Sequence, residues 1–307
     1  MIPECNCRLW SLRPASVTSV HHNDNRGTHM AMRRWCLLAG QALIIGLIFN
    51  SSADAAPADA ARCTSGSNVE ARIAGCTAVM EQRRSAPPQV IKAHLARASA
   101  YFHRGDLDHA IDDYKWVIAH VSADPLAAYN RAPDLRAGEP LSLSSAEPVL
   151  RRDGDRARAY LGLGIASFQA GLLEQSQDEF KRLIAIEPGN AAAALWLDLA
   201  RRRAGQASEL ASHAKRLDMR QWPAPLVRLF LGQETVDGVL AAADGSGSAL
   251  RRTRRCEASF FAGELMLQQN REAEAIRLID QALAGCPLGS DLRSVASAEA
   301  RVLSVMP

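Results

Sequence analysis

The sequence predicts an all-α fold in which helix-turn-helix repeats stack into a right-handed α-solenoid. The first observation is the 34-residue segment Ala157–Asn190, where the small residues Gly164 and Ser176 stand at the points at which two antiparallel helices would touch. Gly171 follows the first predicted helix, where the chain needs a left-handed residue. Pro188 ends the second helix, because proline has no N–H donor. Together these residues describe one complete helical hairpin.

The second observation is that the same spacing recurs along the chain. Segments 91–124 and 256–289 carry small residues, a turn residue and apolar residues at matching positions. The turn residue is Gly105 in the first and Asn270 in the second, and asparagine is the second choice after glycine for a left-handed conformation. A recurring unit of 34 residues is typical of repeat proteins, whose units stack on their neighbours into one extended core.

Other segments fit this period less well. Segment 125–156 carries Pro133 and Pro148 inside its two predicted helices, where each proline costs about 3 kcal/mol. We expect it to be distorted or partly unwound, as a tolerated loop-like insertion rather than as a hinge or a widened groove. Segment 191–224 is a weak repeat, and a helix at 291–303 is expected to close the array.

The N-terminal region has the layout of a secretory signal peptide. Met30 opens a stretch with two arginines, Trp35–Phe49 carries no charge, and small residues lead to an A-x-A pattern that ends at Ala55. These 15 uncharged residues are short for a membrane span, which needs about 20. We expect secretion across the inner membrane to the periplasm, with an uncleaved N-terminal anchor as the alternative. The predicted organisation is a leader at 1–55 (a misassigned start at 1–29, a signal peptide at about 30–55), a tether at 56–67 and one solenoid domain at 68–305.

Four cysteines remain after the leader, an even number in an oxidising compartment. Cys256 and Cys286 stand at the start and the end of one predicted hairpin, so an antiparallel arrangement makes them neighbours. Cys63 lies in the predicted tether and can fold back onto the helix that carries Cys76. We therefore predict the disulfides Cys63–Cys76 and Cys256–Cys286, each worth about 3–4 kcal/mol by loop entropy. Buried free thiols are the alternative.

Composition and charge narrow the class of partner. The formal net charge of the 307 residues is +3, and the leader holds part of that excess. The mature chain therefore has nearly equal numbers of basic and acidic residues, which gives no support for nucleic-acid binding. Arg251, Arg252, Arg254 and Arg255 form one local basic run, which we interpret as a solvated helix face, with a contact for an acidic partner as the alternative.

No residue pattern predicts an enzyme, a cofactor or a metal site. The histidines stand at no recognisable spacing from a nucleophile, and the glycines near Gly245 lack the Lys-Ser or Lys-Thr of a phosphate-binding loop. The carboxylates of Asp106, Asp108, Asp112 and Asp113 are interpreted as a solvated helix start, where the dipole favours them. We therefore expect a non-catalytic protein without a small-molecule substrate.

The segment Ala157–Asn190 resembles a tetratricopeptide (TPR) repeat. Residues Ala157–Leu303 also resemble the C-terminal half of periplasmic TPR lipoproteins of the NlpI type. The resemblance rests on the Ala157–Asn190 repeat, the segment WPAPLVRLFLG (Trp222–Gly232), the motif CEASFFAGELML (Cys256–Leu267) and the closing helix. The resemblance implies an adaptor that docks cell-envelope proteases and peptidoglycan hydrolases and that can form a homodimer. The chain departs from this family because no lipid-attachment cysteine follows its apolar run, which leaves membrane anchoring and the partner set open.

The first helices of the repeats are expected to line a concave groove that suits an extended or helical peptide. We expect an adaptor that binds protein or peptide partners there. The alternative is a structural, self-associating envelope module whose groove is filled by its own N-terminal segment. Each aromatic groove residue also fits the core between repeats. The predicted groove residues are Lys92, Ser99, Phe102, His103, Tyr129, Asn130, Arg158, Leu161, Ile165, Phe168, Gln169, Trp196 and Arg202.

Intact-mass analysis can test the two predicted disulfides. Alkylation of the mature chain without a reductant should add no label, whereas alkylation after reduction should label four cysteines. Four labelled thiols in the unreduced sample would contradict both pairings.

Overall fold

The computed structural model describes residues 55–82, 85, 87–121, 143–245 and 247–304, and this part of the chain is helical, with no β-strand. The all-α prediction is confirmed for these residues, which belong to one unit, Asp54–Pro307. The predicted leader lies outside them, apart from its last residue. The helices are α1 (Ala55–Ser65), α2 (Val69–Glu81), α3 (Pro87–Arg104), α4 (Leu107–His120), α5 (Leu143–Gln169), α6 (Leu173–Ile186), α7 (Ala191–Arg203), α8 (Leu210–Ala214), α9 (Ala224–Phe230), α10 (Val236–Asp244), α11 (Ser248–Gln268), α12 (Glu272–Gly285) and α13 (Asp291–Leu303).

Helices that follow one another in the sequence pack together in space, from α1 on α2 to α12 on α13. Segments 91–124, 157–190 and 256–289 each contain a helical hairpin, formed by α3–α4, α5–α6 and α11–α12. Gly105, Gly171 and Asn270 follow the first helix of each pair, with φ of 84°, 76° and 58°. These positions are therefore left-handed, as the turn residues predict.

Close helix approach in these hairpins depends on small residues. A Cβ added at Gly164 of α5 would lie 2.5 Å from the ring of Phe180 on α6, which is fully buried. Next to this contact, the Ser176 hydroxyl donates a hydrogen bond of 2.9 Å to the Gly164 carbonyl. Gly263 of α11 likewise faces Ile279 of α12, where an added Cβ would be 2.9 Å from the side chain.

Residues 56–65 of the predicted tether are helical: together with Ala55 they form α1, which packs on α2. The segment is rich in alanine, the best helix former. Cys63 of α1 is buried and bonded to Cys76 of α2, with 4.4 Å between the two Cα atoms. Cys256 and Cys286 are bonded in the same way across α11–α12, at 4.7 Å between Cα atoms. The structure therefore joins both predicted cysteine pairs.

Segment 125–156 was expected to be a distorted segment separate from the next repeat, but its last residues are continuous with that repeat. Helix α5 runs through Leu143–Gln169 and includes Pro148, so residues 143–156 continue directly into the next hairpin. A proline disturbs the turn that precedes it, and the Arg-, Ala- and Leu-rich residues that follow propagate one helix. Residues 122–142, with Pro133, lie outside the described residues.

The weak repeat 191–224 has a reduced second helix. After α7 and the left-handed Gly205, the five-residue α8 takes the place of a full partner helix. The chain then forms the short pair α9–α10 around Gly232, whose φ is 72°. Helix α13 covers the 291–303 expected for a closing helix.

Two glycines of α5 provide a matched test of the hairpin contact. Gly164→Ala should lower the free energy of unfolding by about 1–3 kcal/mol, because the new methyl group displaces the buried Phe180 ring. Gly154→Ala, where an added Cβ meets no atom within 4 Å, should instead raise it by about 0.5–1 kcal/mol. Urea unfolding measures both, and equal effects of the two variants would contradict this account.

Candidate functional site

The last helix packs against the N-terminal part of the domain. Helix α13 contacts α3, and His103 Nε2 of α3 lies 2.9 Å from Asp291 Oδ1 at the start of α13. The His103 side chain is 9% exposed and that of Asp291 is 42% exposed, so the contact lies at the edge of the buried core. The two residues are 188 positions apart in the sequence. This long-range contact brings two distant parts of the chain to the same site.

A cavity of about 640 Å³ opens where these helices meet. Its walls come from the α1–α2 turn, the C-terminal ends of α3 and α5, the α12–α13 turn and one face of α13. The volume falls in the range of about 300–1,000 Å³ that is usual for ligand sites. The cavity is therefore the candidate functional site.

The cavity wall is basic. It contains Arg72, Arg104, Arg293, Arg301 and His103, and no Asp or Glu. Arg104 forms ion pairs with Glu70 and Asp106, at 3.1 and 2.6 Å, just outside the lining. For the other three arginines, no carboxylate of the described residues lies within ion-pair distance.

Two of these three arginines are held by hydrogen bonds. Arg293 donates hydrogen bonds to the carbonyls of Leu283 and Cys286, at the end of α12. Arg301 donates a hydrogen bond of 3.1 Å to the Ser297 hydroxyl. The Nε atom of Arg72 is buried and has no hydrogen-bond partner in the described part of the chain. The cavity thus holds positive charge that the described residues leave uncompensated.

A second charged cluster is buried beside α13. Arg203 of α7 bonds to Glu264 of α11 at 2.7 Å and to Glu299 of α13 at 2.9 Å. Its guanidinium also lies 4.2 Å from the ring centre of Phe168. Glu264 is fully buried, and this burial raises its pKa to about 7 although Arg203 favours the ionised form. The cluster joins three helices that are distant in sequence.

Some predicted groove residues reach the cavity and others do not. Phe102, His103 and Gln169 line it. Ile165, Phe168 and Trp196 were expected in a groove, but at 1–4% exposure they belong to the core. Phe168 and Trp196 are buried because they belong to an aromatic cluster. In this cluster the ring centre of Trp196 lies 5.2 Å from that of Phe168, 5.4 Å from that of Phe260 and 5.4 Å from that of Phe261.

The remaining predicted groove residues lie elsewhere. Lys92 is exposed beside a separate cavity of about 370 Å³ near Cys63. Arg158 is exposed and pairs with Asp155, while Arg202 is bound to Asp198 and to the Phe230 carbonyl. Ser99 and Leu161 are partly buried and do not line the basic cavity. Tyr129 and Asn130 lie outside the described residues.

The interpretation of Asp113 as solvated is wrong. It is buried, and its carboxylate accepts two hydrogen bonds from Arg97, at 2.8 and 2.9 Å, and one contact of 2.8 Å from His94. Burial alone would raise the pKa of Asp113, but the bonds from Arg97 and His94 outweigh burial and lower it. Asp106 instead caps α4, accepting a hydrogen bond from the His109 amide.

Sequence reasoning missed the arginines of the cavity. Arg293, Ser297 and Arg301 follow one another at intervals of four, which places them on one face of α13. This polar stripe on the closing helix is the sequence pattern from which a binding surface could have been predicted. Arg72 gave none, since its position beside α13 depends on long-range packing.

The chain matches no protein-family model and no curated protein. Among the described helices, none is both long and apolar enough to cross a bilayer. The same residues hold no cluster of three side chains suited to bind a metal ion. The geometry of the cavity therefore has to carry the functional argument.

The pKa of Glu264 predicts a pH dependence of stability. It lies at about 7, above the ordinary 4.5, so the folded protein holds a proton that the unfolded chain releases between these values. The free energy of unfolding should fall as the pH rises through this range. Glu264→Gln should reduce that slope, whereas Glu174→Gln, at an exposed position, should leave it unchanged. Urea unfolding across the range measures this, and an unaltered slope in Glu264→Gln would reject the assignment.

Proposed function

We propose that the chain is a TPR-type adaptor that acts outside the cytoplasm and binds a segment of a protein partner in the basic cavity. The observation that carries the proposal is the cavity itself, formed where the ends of α3 and α5 meet α13. A non-enzymatic binding role accounts for a cavity that combines exposed cations, hydroxyl groups and apolar side chains.

The helical hairpins support the TPR part of the proposal. Each of the three segments with the 34-residue spacing has a tight contact or buried small residues between its helices and a left-handed residue after the first one. Stacked hairpins of this kind create concave surfaces that bind extended segments. The right-handed solenoid remains part of this proposal.

The disulfides support a location outside the cytoplasm. Cys63–Cys76 and Cys256–Cys286 are both bonded, and disulfides persist in oxidising compartments. With the signal-like leader, this favours the periplasm. The resemblance of Trp222–Gly232 and Cys256–Leu267 to NlpI-type proteins makes cell-envelope proteases and peptidoglycan hydrolases the first partners to examine.

Leu288 gives the cavity an apolar contact for a partner. It lies in the α12–α13 turn at the cavity and is 81% exposed. Single exposed apolar residues are common on protein surfaces. Beside a concave basic site, however, such a side chain can be covered by a bound segment and contribute to its affinity.

Photo-crosslinking in the native host tests the adaptor proposal. A photoreactive amino acid at Leu288 should form an adduct with a partner protein, which mass spectrometry identifies. Leu172 is the matched control, since it is 47% exposed and does not line the cavity. Equal adducts at both positions, or none at Leu288, would contradict the proposal. An adduct between two copies of the chain would support the self-associating module instead.

A further inference from the structure

We propose that the cavity selects an acidic segment of the partner, whose carboxylates bind Arg72, Arg293 and Arg301. This inference rests on the proposed adaptor function, because it names the chemistry of the bound segment. The cavity overlaps the predicted concave groove at Phe102, His103 and Gln169, but most of its basic residues come from α2 and α13.

Charge complementarity is the first support. The nearest carboxylates that could neutralise the wall are already engaged, Glu70 and Asp106 by Arg104 and Asp291 by His103. In the described part of the chain, the guanidinium groups of Arg72, Arg293 and Arg301 have no ion-pair partner. Guanidinium groups bind carboxylates with paired N–H donors, which makes acidic side chains the fitting ligand.

Unsatisfied polar atoms are the second support. The Arg72 Nε–H donor and the Gln169 Oε1 acceptor are both buried without a hydrogen-bond partner among the described residues, and both residues line the cavity. A buried polar atom without a partner costs free energy. Both atoms have almost no accessible surface, so a ligand reaches them only when the two side chains turn toward the cavity. A carboxylate oxygen at Arg72 and a peptide N–H at Gln169 would then remove that cost, and an acidic peptide supplies both groups.

The apolar part of the wall indicates what accompanies the carboxylates. Val69, Phe102, Leu283 and the exposed Leu288 contribute carbon atoms to the same cavity. A ligand with charge alone would leave this surface in water. We infer that the bound segment combines Asp or Glu with a neighbouring large apolar residue.

Binding of defined peptides to the purified protein tests the inference. The probe is a short peptide of Asp, Glu, Leu and Gly with an amidated C-terminus and an uncharged BODIPY label, so that side chains are its sole carboxylates. Its anisotropy should rise on binding, and the affinity should weaken as salt screens the charges. The isosteric peptide with Asn and Gln should bind about tenfold or more weakly.

Charge reversal locates the site. Arg301→Glu should weaken binding of the acidic peptide about tenfold or more, because it replaces an attraction with a repulsion at the cavity wall. Arg251→Glu is the matched control, as it makes the same charge change at an exposed position that does not line the cavity. Arg72→Gln should also weaken binding. Circular dichroism melting curves establish that each variant remains folded.

Three outcomes would overturn the inference. The first is equal affinity for the acidic and the amide peptide, and the second is equal loss in Arg301→Glu and Arg251→Glu. The third is binding to phosphatidylglycerol vesicles that depends on Arg301 while the peptide does not bind, which would assign the cavity to a lipid surface. If the acidic peptide does not bind but Leu288 still crosslinks to a partner, the inference of an acidic segment is wrong and the proposed adaptor function is retained. If the peptide binds through Arg301 and no partner crosslinks, the adaptor role fails alone.

Discussion

The close approach of two helices within each hairpin is the constraint on which the rest of the structure depends. Gly164 against Phe180, and Gly263 against Ile279, leave no room for a side chain at the glycine. Because the helices touch there, their ends are fixed relative to one another, and the turn residue Gly171 can return the chain at a defined point. The cavity is built from such helix ends, so its shape follows from contacts made well away from it.

Buried charges hold the distant parts of the domain together. Arg203 joins α7 to α11 and α13 through Glu264 and Glu299. A hydrogen bond between His103 and the partly exposed Asp291 joins α3 to α13 in addition. A buried ion pair adds little stability compared with apolar packing, but leaving one partner alone is costly. These contacts therefore disfavour arrangements in which α13 packs elsewhere, and they fix the position of the cavity wall.

The sequence was most informative where contacts are local. Gly171 turns the chain and Ser176 contacts Gly164 within one hairpin, so spacing along the chain predicted this turn and this contact. The Cys63–Cys76 pair was predicted, but the alanine-rich segment that carries Cys63 was predicted to be a tether although its composition favours the helix α1. The cavity could not be predicted in the same way. His103 and Asp291 are 188 positions apart, and no periodic pattern specifies how the last helix returns to the first hairpins.

Arginine side chains play two roles in this protein, according to their access to water. Arg203 is mostly buried, and an isolated guanidinium there would be very costly, so two carboxylates accompany it. Arg293 and Arg301 lie at an open cavity, where water solvates them, and they remain stable without carboxylate partners. A ligand that displaces this water must replace the lost solvation with its own negative charge. The proposed selectivity for acidic segments therefore rests on the difference between the two environments, rather than on the number of arginines.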